Sequence, residues 1–289
     1  MNILITGCNG QLGNEMQLLE KDCTQHNFFN TDVNELDITD AGAVDMFVND
    51  NNIDIIVNCA AYTAVDKAES NGELCRQLNA VAPENLARAV DRRGGMLIHI
   101  STDYVFDGTA HRPYTETDKT CPDSVYGTTK LEGEQRVTAA CRRAVIIRTA
   151  WLYSCFGNNF VKTIMRLARD LKNLGVVFDQ IGTPTCAADL AYIIMKIIDR
   201  ADDFGQSTVF HFSDEGTASW YDFALDIIRL AGIGECRVSP VHTDEYPTPA
   251  RRPAYSVLDK TKIKKTLNIA IPHWHDSLAL CIDKMKSHE

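Results

Sequence analysis

The stretch Asn2-Ile-Leu-Ile-Thr6-Gly7-Cys8-Asn9-Gly10-Gln11-Leu12-Gly13 decides the fold of this chain. A short apolar run enters a glycine-punctuated turn, and Asn14-Glu-Met-Gln-Leu-Leu19 continues it as a helix-compatible segment. Gly7 and Gly10 permit a tight turn and a close backbone approach to a pyrophosphate. The start of a helix offers unpaired N–H donors to such an anion, and Gly13 lets the helix pack on the strand. Gln11 and Leu12 open that helix and join the glycines as candidate cofactor contacts. Strand, turn and helix in this order are the grammar of a dinucleotide-binding unit, although the spacing departs from G-x-G-x-x-G.

Working outward, Asn27-Phe-Phe-Asn30 reads as a second strand, and Asp32 lies 19 residues beyond Gly13, where an acid meets adenosine ribose hydroxyls. Asp37 competes for that role. No Lys or Arg occurs between Lys21 and Lys67, so no cation local in sequence awaits a 2′-phosphate; this leans towards NADH, or towards indifference between NADH and NADPH. Asp54-Ile-Ile-Val-Asn-Cys-Ala-Ala61 reads as a third strand whose small final residues let a cofactor lie close, so Asn58 to Ala61 are expected to line it, with Ala60, Ala61 and the following Tyr62 as candidate contacts. Helical segments follow, including Asn79 to Ala87, then an apolar central strand, Gly95 to Ile100, and a fifth strand, Arg143 to Thr149. The alternation predicts an α/β fold with a doubly wound parallel sheet of the Rossmann kind.

Chemistry gathers just past the central strand. Thr102 stands at its end, where open α/β sheets bind ligands, and Tyr126 precedes Lys130 by one helical turn. A cation about 4 Å from a phenol is worth about 4 kcal/mol at an effective dielectric of about 20. Lys130 is therefore expected to lower the Tyr126 phenol towards neutrality, making it a general acid for a ketone oxygen that Thr102 holds.

The 289 residues, 45% of them hydrophobic, suffice for one large domain or two moderate ones. A formal net charge of -10 without a dense basic block argues against nucleic acid and anionic membrane as partners. No apolar stretch approaches a membrane span of about 20 residues, and a cytoplasmic protein is expected. The ten cysteines form no C-x-x-C pair and read as reduced thiols. His99, inside the central strand, reads as a packed core histidine, and His273 and His275 as poor metal candidates.

In the second half, helices are expected from Asn158, over Ala187 to Arg200, over Trp220 to Leu230 and over Trp274 to Lys286, with a strand at Thr208 to Phe212 and a loop from Pro240 to Pro253. This divides the chain into residues 1–150 with a return segment near 187–215, and a smaller interleaved α+β substrate lobe of residues 151–186 and 216–289. Arg251 and Arg252 are apt for a diphosphate, and Trp151, just after the fifth strand, for packing on a sugar face.

Gly7/Gly10/Gly13, Asn58-Cys-Ala-Ala61, Ser101-Thr-Asp-Tyr-Val-Phe-Asp-Gly108, Tyr126-Gly-Thr-Thr-Lys130 and Arg148-Thr-Ala-Trp-Leu-Tyr153 resemble the extended short-chain dehydrogenase/reductases. Asp179 to Thr185 and Arg251 to Ser256 extend the likeness, within them, to the dTDP-4-dehydrorhamnose reductase family. The resemblance implies reduction of a dTDP-sugar ketone by NAD(P)H, with Thr102, Tyr126 and Lys130 as the catalytic set and Asp103, Tyr104 and Trp151 on the sugar. A monomer or homodimer is expected. Some members dimerise around Mg²⁺ held by three acids; Glu15 and Asp189 match two of these, while the third falls on Lys284 beside Asp283, so no metal is expected here. A 4,6-dehydratase is disfavoured because Tyr104 stands where its Glu would be; another nucleotide-sugar epimerase or reductase, or a non-catalytic regulatory or binding subunit of the same fold, is the alternative.

Overall fold

The computed structural model describes residues 1–287. In chain order its first part comprises β1 (Asn2–Thr6), α1 (Gln11–Glu20), β2 (Asn27–Thr31), α2 (Ala41–Asp50), β3 (Ile55–Asn58), α3 (Val65–Ala68), α4 (Gly72–Arg76), α5 (Ala82–Arg92), β4 (Met96–Thr102), α6 (Val125–Ala140) and β5 (Ala144–Thr149). The remainder comprises β6 (Leu152–Tyr153), α7 (Phe160–Asp170), β7 (Asn173–Val177), β8 (Ile181–Gly182), β9 (Thr185–Cys186), α8 (Ala187–Asp199), β10 (Thr208–His211), β11 (Ala218–Ser219), α9 (Trp220–Ala231), β12 (Arg237–Val241), α10 (Thr261–Leu267) and α11 (Trp274–Ser287).

Six parallel strands form the main sheet in the order β10-β5-β4-β3-β1-β2, a Rossmann-like doubly wound arrangement. Because both faces carry helices, the strands read as nearly unbroken apolar runs. Ile3, Ile5, Val57, Ile98 and Val145 point into one core with Leu190 and Ile194 of α8. Their neighbours Leu4, Ile56, Leu97 and Ile146 point into the other, with Val44 of α2, Leu86 of α5 and Val137 of α6. The first turn of the crossover begins where β1 and β3 part, and Thr6 lies opposite both Thr31 and Asn58 in register.

Helix α5 is preceded by one π turn, Gln77–Val81. An α-helical bond to the Asn79 carbonyl would come from residue 83, which is Pro83 and lacks an N–H, so the backbone widens there. The helix expected from Asn79 therefore starts as an α-helix only at Ala82, with Pro83 in its first turn.

A third core, built on Tyr153, Phe223, Ile227, Trp274 and Leu278, holds α7, α9 and α11 together. Three strand pairs edge this part: β6 with β9, β8 with β11, and β7 with β12. The stretch from Pro240, expected as loop, thus begins inside β12, where Pro240 pairs with Val176 on a two-stranded ribbon. Proline survives in such a strand because an edge position demands no donor. The partner strand Asn173-Leu-Gly-Val-Val177 escapes sequence reading because a central glycine breaks its apolar pattern.

Candidate active site

The glycine turn is held by contacts that leave no space for side chains. Gly7 has φ +65, and a Cβ there would stand 2.8 Å from the Ala60 backbone; a Cβ on Gly13 would stand 2.4 Å from the Gly7 carbonyl. Gly10 caps α1 without a side-chain acceptor, and no acid occupies the first turn of α1. The N–H groups at Gln11 and Leu12 are therefore free to meet an anion where the helix dipole favours one. A dinucleotide pyrophosphate fits this cradle.

Asp32 reaches back to the turn, where its Oδ2 accepts from Asn9 N at 3.2 Å and its Oδ1 from Val33 N at 2.8 Å. Asp37 is spent locally: Oδ1 accepts from the Thr39 N–H and hydroxyl, bonds that hold its carboxyl below the ordinary range. Of the two acids, the structure brings Asp32 to the glycine turn. Opposite, Ala60 N donates to Asn58 Oδ1 at 3.2 Å, while the Tyr62 backbone is held by Asn79 of the π turn. Asn79 is fully buried and was invisible to motif reading, since only the tertiary fold brings it to this loop.

Thr102, at the end of β4, and Tyr126 and Lys130, on α6, come together beside this crevice. Gly127 makes the approach possible, because a Cβ there would stand 2.3 Å from the Tyr104 carbonyl. Ser124 caps α6 by accepting from Gly127 N at 3.1 Å. Thr102 Oγ1 donates to Asp103 Oδ1 at 3.0 Å and accepts from Tyr104 N at 3.2 Å, and the Thr102 hydroxyl lies near enough to the Tyr126 phenol to favour its ionised form. Lys130 Nζ donates to the Ile100 carbonyl at 2.5 Å. One turn on, Glu134 forms a buried ion pair with Arg148 and accepts from Ser101 at 2.5 Å, bracing α6 against β4 and β5.

Electrostatics differ from the sequence expectation. Burial pushes the Tyr126 phenol above its ordinary value, the Asp103 carboxylate adds to the rise, and the Thr102 hydrogen bond opposes it. Lys130 is not among the influences that lower it, and its ammonium is turned to the Ile100 carbonyl. Burial likewise lowers Lys130 to about 8 and raises Asp103 to about 6. His99 is fully buried and kept neutral by desolvation, its Nδ1 3.0 Å from Asn58 Nδ2.

A cavity of about 560 Å³ lies elsewhere along α1, whereas one of about 530 Å³ opens beside Tyr104 and is walled by α7, β7 and α9. Only the second touches the Thr102 neighbourhood. Arg252 lines it, paired with Asp66 at 2.7 Å, whereas the exposed Arg251 turns outward to Asp123 at 3.0 Å. Trp151 does not line it. Its ring stacks on Trp220 at 3.5 Å and covers Gly182, leaving Trp220, with Phe160 and Tyr246, as the aromatic wall. These three aromatics lie far from the motifs in sequence and carried no signal of their own.

Glu15 and Asp189, the acids that the resemblance sets at metal positions, each have partners of their own. Glu15 is buried and accepts from Ser154 Oγ at 2.6 Å. Asp189 is raised chiefly by burial, with Ser277 and the Lys284 ammonium opposing and Glu15 adding to the rise. A hard cation needs an oxygen shell, and here the third position presents an ammonium. Among the described residues no group of three or more His, Cys, Asp or Glu could hold a metal ion.

The model of the family described as RmlD substrate binding domain matches residues 1–287. A dTDP-4-dehydrorhamnose reductase of Burkholderia thailandensis is 38% identical, with 99% of this chain and 100% of that protein covered. The Escherichia coli protein of that name is 40% identical over 95% of this chain and 94% of its own length. Among solved structures, the dTDP-4-dehydrorhamnose reductase of Clostridium acetobutylicum superposes with TM-score 0.93 at 45% identity, covering 99% of this chain and 100% of that one. The Bacillus anthracis enzyme, solved in complex with NADP, gives TM-score 0.93 at 37% identity, covering 98% and 99%. Likeness of this extent places the chain in the dTDP-4-dehydrorhamnose reductase family.

Proposed function

We propose that the protein reduces the C4 ketone of dTDP-4-dehydro-6-deoxy-L-mannose to give dTDP-L-rhamnose. The observation that carries this reading is the convergence of Thr102, Tyr126 and Lys130 beside a glycine turn shaped for a dinucleotide, in a chain of this family. The sheet part, residues 1–150 with 187–215, holds the cofactor, and residues 151–186 with 216–289 hold the sugar nucleotide, as a monomer or homodimer in the cytoplasm. Among the described residues no helix is long and apolar enough to cross a membrane.

The reduced nicotinamide supplies the hydride to C4. Thr102 binds the carbonyl oxygen, and Tyr126 delivers the proton that completes the hydroxyl. A raised phenol keeps that proton bound at neutral pH, so the donor form is fully populated when negative charge develops on oxygen. Lys130, largely protonated at pH 7, then steadies the phenolate across one helical turn. Arg252 and the Trp220 wall supply the cavity's cation and apolar face for the nucleotide sugar; Asp103 and Tyr104 support the reacting end.

An assay of NADPH and NADH oxidation with this substrate, and with dTDP-4-dehydro-6-deoxyglucose and a UDP-sugar ketone as controls, tests the reading. Reduction of the mannose-configured ketone is expected, with kcat/KM for the two cofactors within about tenfold, a difference of about 1.4 kcal/mol. Binding without turnover would favour a regulatory subunit instead.

A further inference from the structure

We infer that the groove between α1, α7 and α11, remote from the proposed active site, is a second binding site for an organic diphosphate of the nucleotide class. The groove encloses about 760 Å³, within the range of small-ligand sites. Lys162, Arg166 and Arg169 line it from α7, at spacings of four and three that put them on one stripe, and Lys284 faces them from α11. Asp170 is the acid at the rim, and Glu15 lies beneath, committed to Ser154 and Cys155. Lys162 N donates to the cap residue Asn159, and among the described residues neither the Lys162 ammonium nor the Arg166 guanidinium has a hydrogen-bonded or ion-paired partner. Such a concentration of cations in a chain of formal charge -10 selects a multiply charged anion, and guanidinium forks match phosphate oxygens.

The walls are apolar where the cations are not. Phe156, Met165 and Met285 supply a surface on which a base or another flat organic group can rest. Helix α7 also connects this groove to the substrate cavity: Phe160, Thr163 and Leu167 line the cavity, while Lys162, Met165 and Arg166 line the groove. The loop before α7 is tied to the cofactor turn, since Asn159 Nδ2 donates to Gln11 Oε1 at 2.9 Å. An occupant of the groove therefore bears on both halves of the proposed active site.

Calorimetric titration of the full chain with dTDP and with inorganic diphosphate tests this, in the wild type, in Lys162→Glu/Arg166→Glu and in Phe156→Ala. The wild type is expected to take a second equivalent of dTDP beyond the one at the substrate cavity. The charge-reversed double variant should lose that second equivalent, its affinity falling at least about tenfold, while turnover without added dTDP is unchanged. Phe156→Ala should weaken dTDP more than inorganic diphosphate. A single equivalent in wild type and variant alike overturns the site; equal affinity for both probes in the wild type overturns the nucleotide assignment. A dimer that needs Lys162 and Arg166 and forms without dTDP would assign the groove to a second copy of the chain and overturn the proposal as well. Because the readout is binding stoichiometry, it stands or falls independently of the reductase reading.

Discussion

The side chain of Asn79 grips the backbone of Tyr62 at both ends: Oδ1 accepts from Tyr62 N at 2.8 Å, and Nδ2 donates to the Tyr62 carbonyl at 3.1 Å. A buried amide thus plays the part of a neighbouring strand for a loop that has none. Asn79→Ala leaves both backbone groups unpaired at about 1–3 kcal/mol each. The KM for NAD(P)H is expected to rise about tenfold with kcat less affected, read from steady-state kinetics at saturating sugar nucleotide. An unchanged cofactor KM would show that the Ala60 to Tyr62 loop does not serve cofactor binding.

Tyr126→Phe keeps the ring against Tyr104, whose edge-to-face partner it is at 5.5 Å, and removes only the transferable proton. Turnover should fall by about 10²–10⁴ while cofactor binding, followed by fluorescence titration, persists. Retention of more than about a tenth of wild-type kcat would refute the proton-donor role.

Alkaline pH should inactivate through Lys130 rather than through Tyr126. With its pKa lowered from 10.5 to about 8, Lys130 loses its charge as pH rises through about 8, and kcat/KM should decline there while the phenol remains protonated. Stability moves the other way: between the folded and unfolded values the unfolded chain binds more protons, so this group's share of unfolding free energy increases from pH 8 to 10.5. A pH–rate profile flat through pH 9 would contradict the assignment.

Asp214 offers a test of stability. It is buried with Oδ1 unpartnered, and burial, aided by Asp189, raises its carboxyl from 3.8 to about 9. The folded chain therefore holds a proton there that the unfolded chain releases, so the group's stabilising share is full below pH 3.8 and is lost as pH rises through about 9. Asp214→Asn mimics the neutral form and keeps an acceptor for the Cys186 N–H, 2.9 Å away. It should stabilise the fold by on the order of 2–4 kcal/mol at pH 7 and by almost nothing below pH 4, in paired thermal melts. Equal effects at both pH values would mean that packing, not titration, sets the difference.

Activity and sedimentation should be indifferent to EDTA in metal-free buffer, because Glu15 is bound to Ser154 and Lys284 faces Asp189. Loss of activity on chelation, restored by Mg²⁺, would reverse this reading.

Local chemistry was legible in the sequence: the glycine turn, the apolar strands and the one-turn spacing of Tyr126 and Lys130 all express short-range rules. What depended on burial was not. The direction of the Tyr126 shift follows from desolvation that no spacing discloses, and the choice of Asp32 over Asp37 from which carboxylate folds back to the turn. Arg251 and Arg252 look alike as neighbours, yet adjacent residues of an extended segment face opposite ways, so only Arg252 reaches the cavity. Trp151, singled out as a sugar platform, has a positive φ of 48 and stacks on Trp220 with its ring against Gly182, a placement that no local pattern discloses.

The sheet's outer strand β10 pairs with β5 far back in the chain, as Thr208 faces Val145, and α8 closes the core beneath α1. Residues 1–150 are thus not a severable module. A fragment ending near residue 150 would present the bare edge of β5 and an uncovered apolar floor at Ile3, Ile5 and Ile98, an invitation to self-association. The strand and helix that complete this core are synthesised after the sheet's other strands, so residues 1–150 and 187–215 are expected to melt as one cooperative unit.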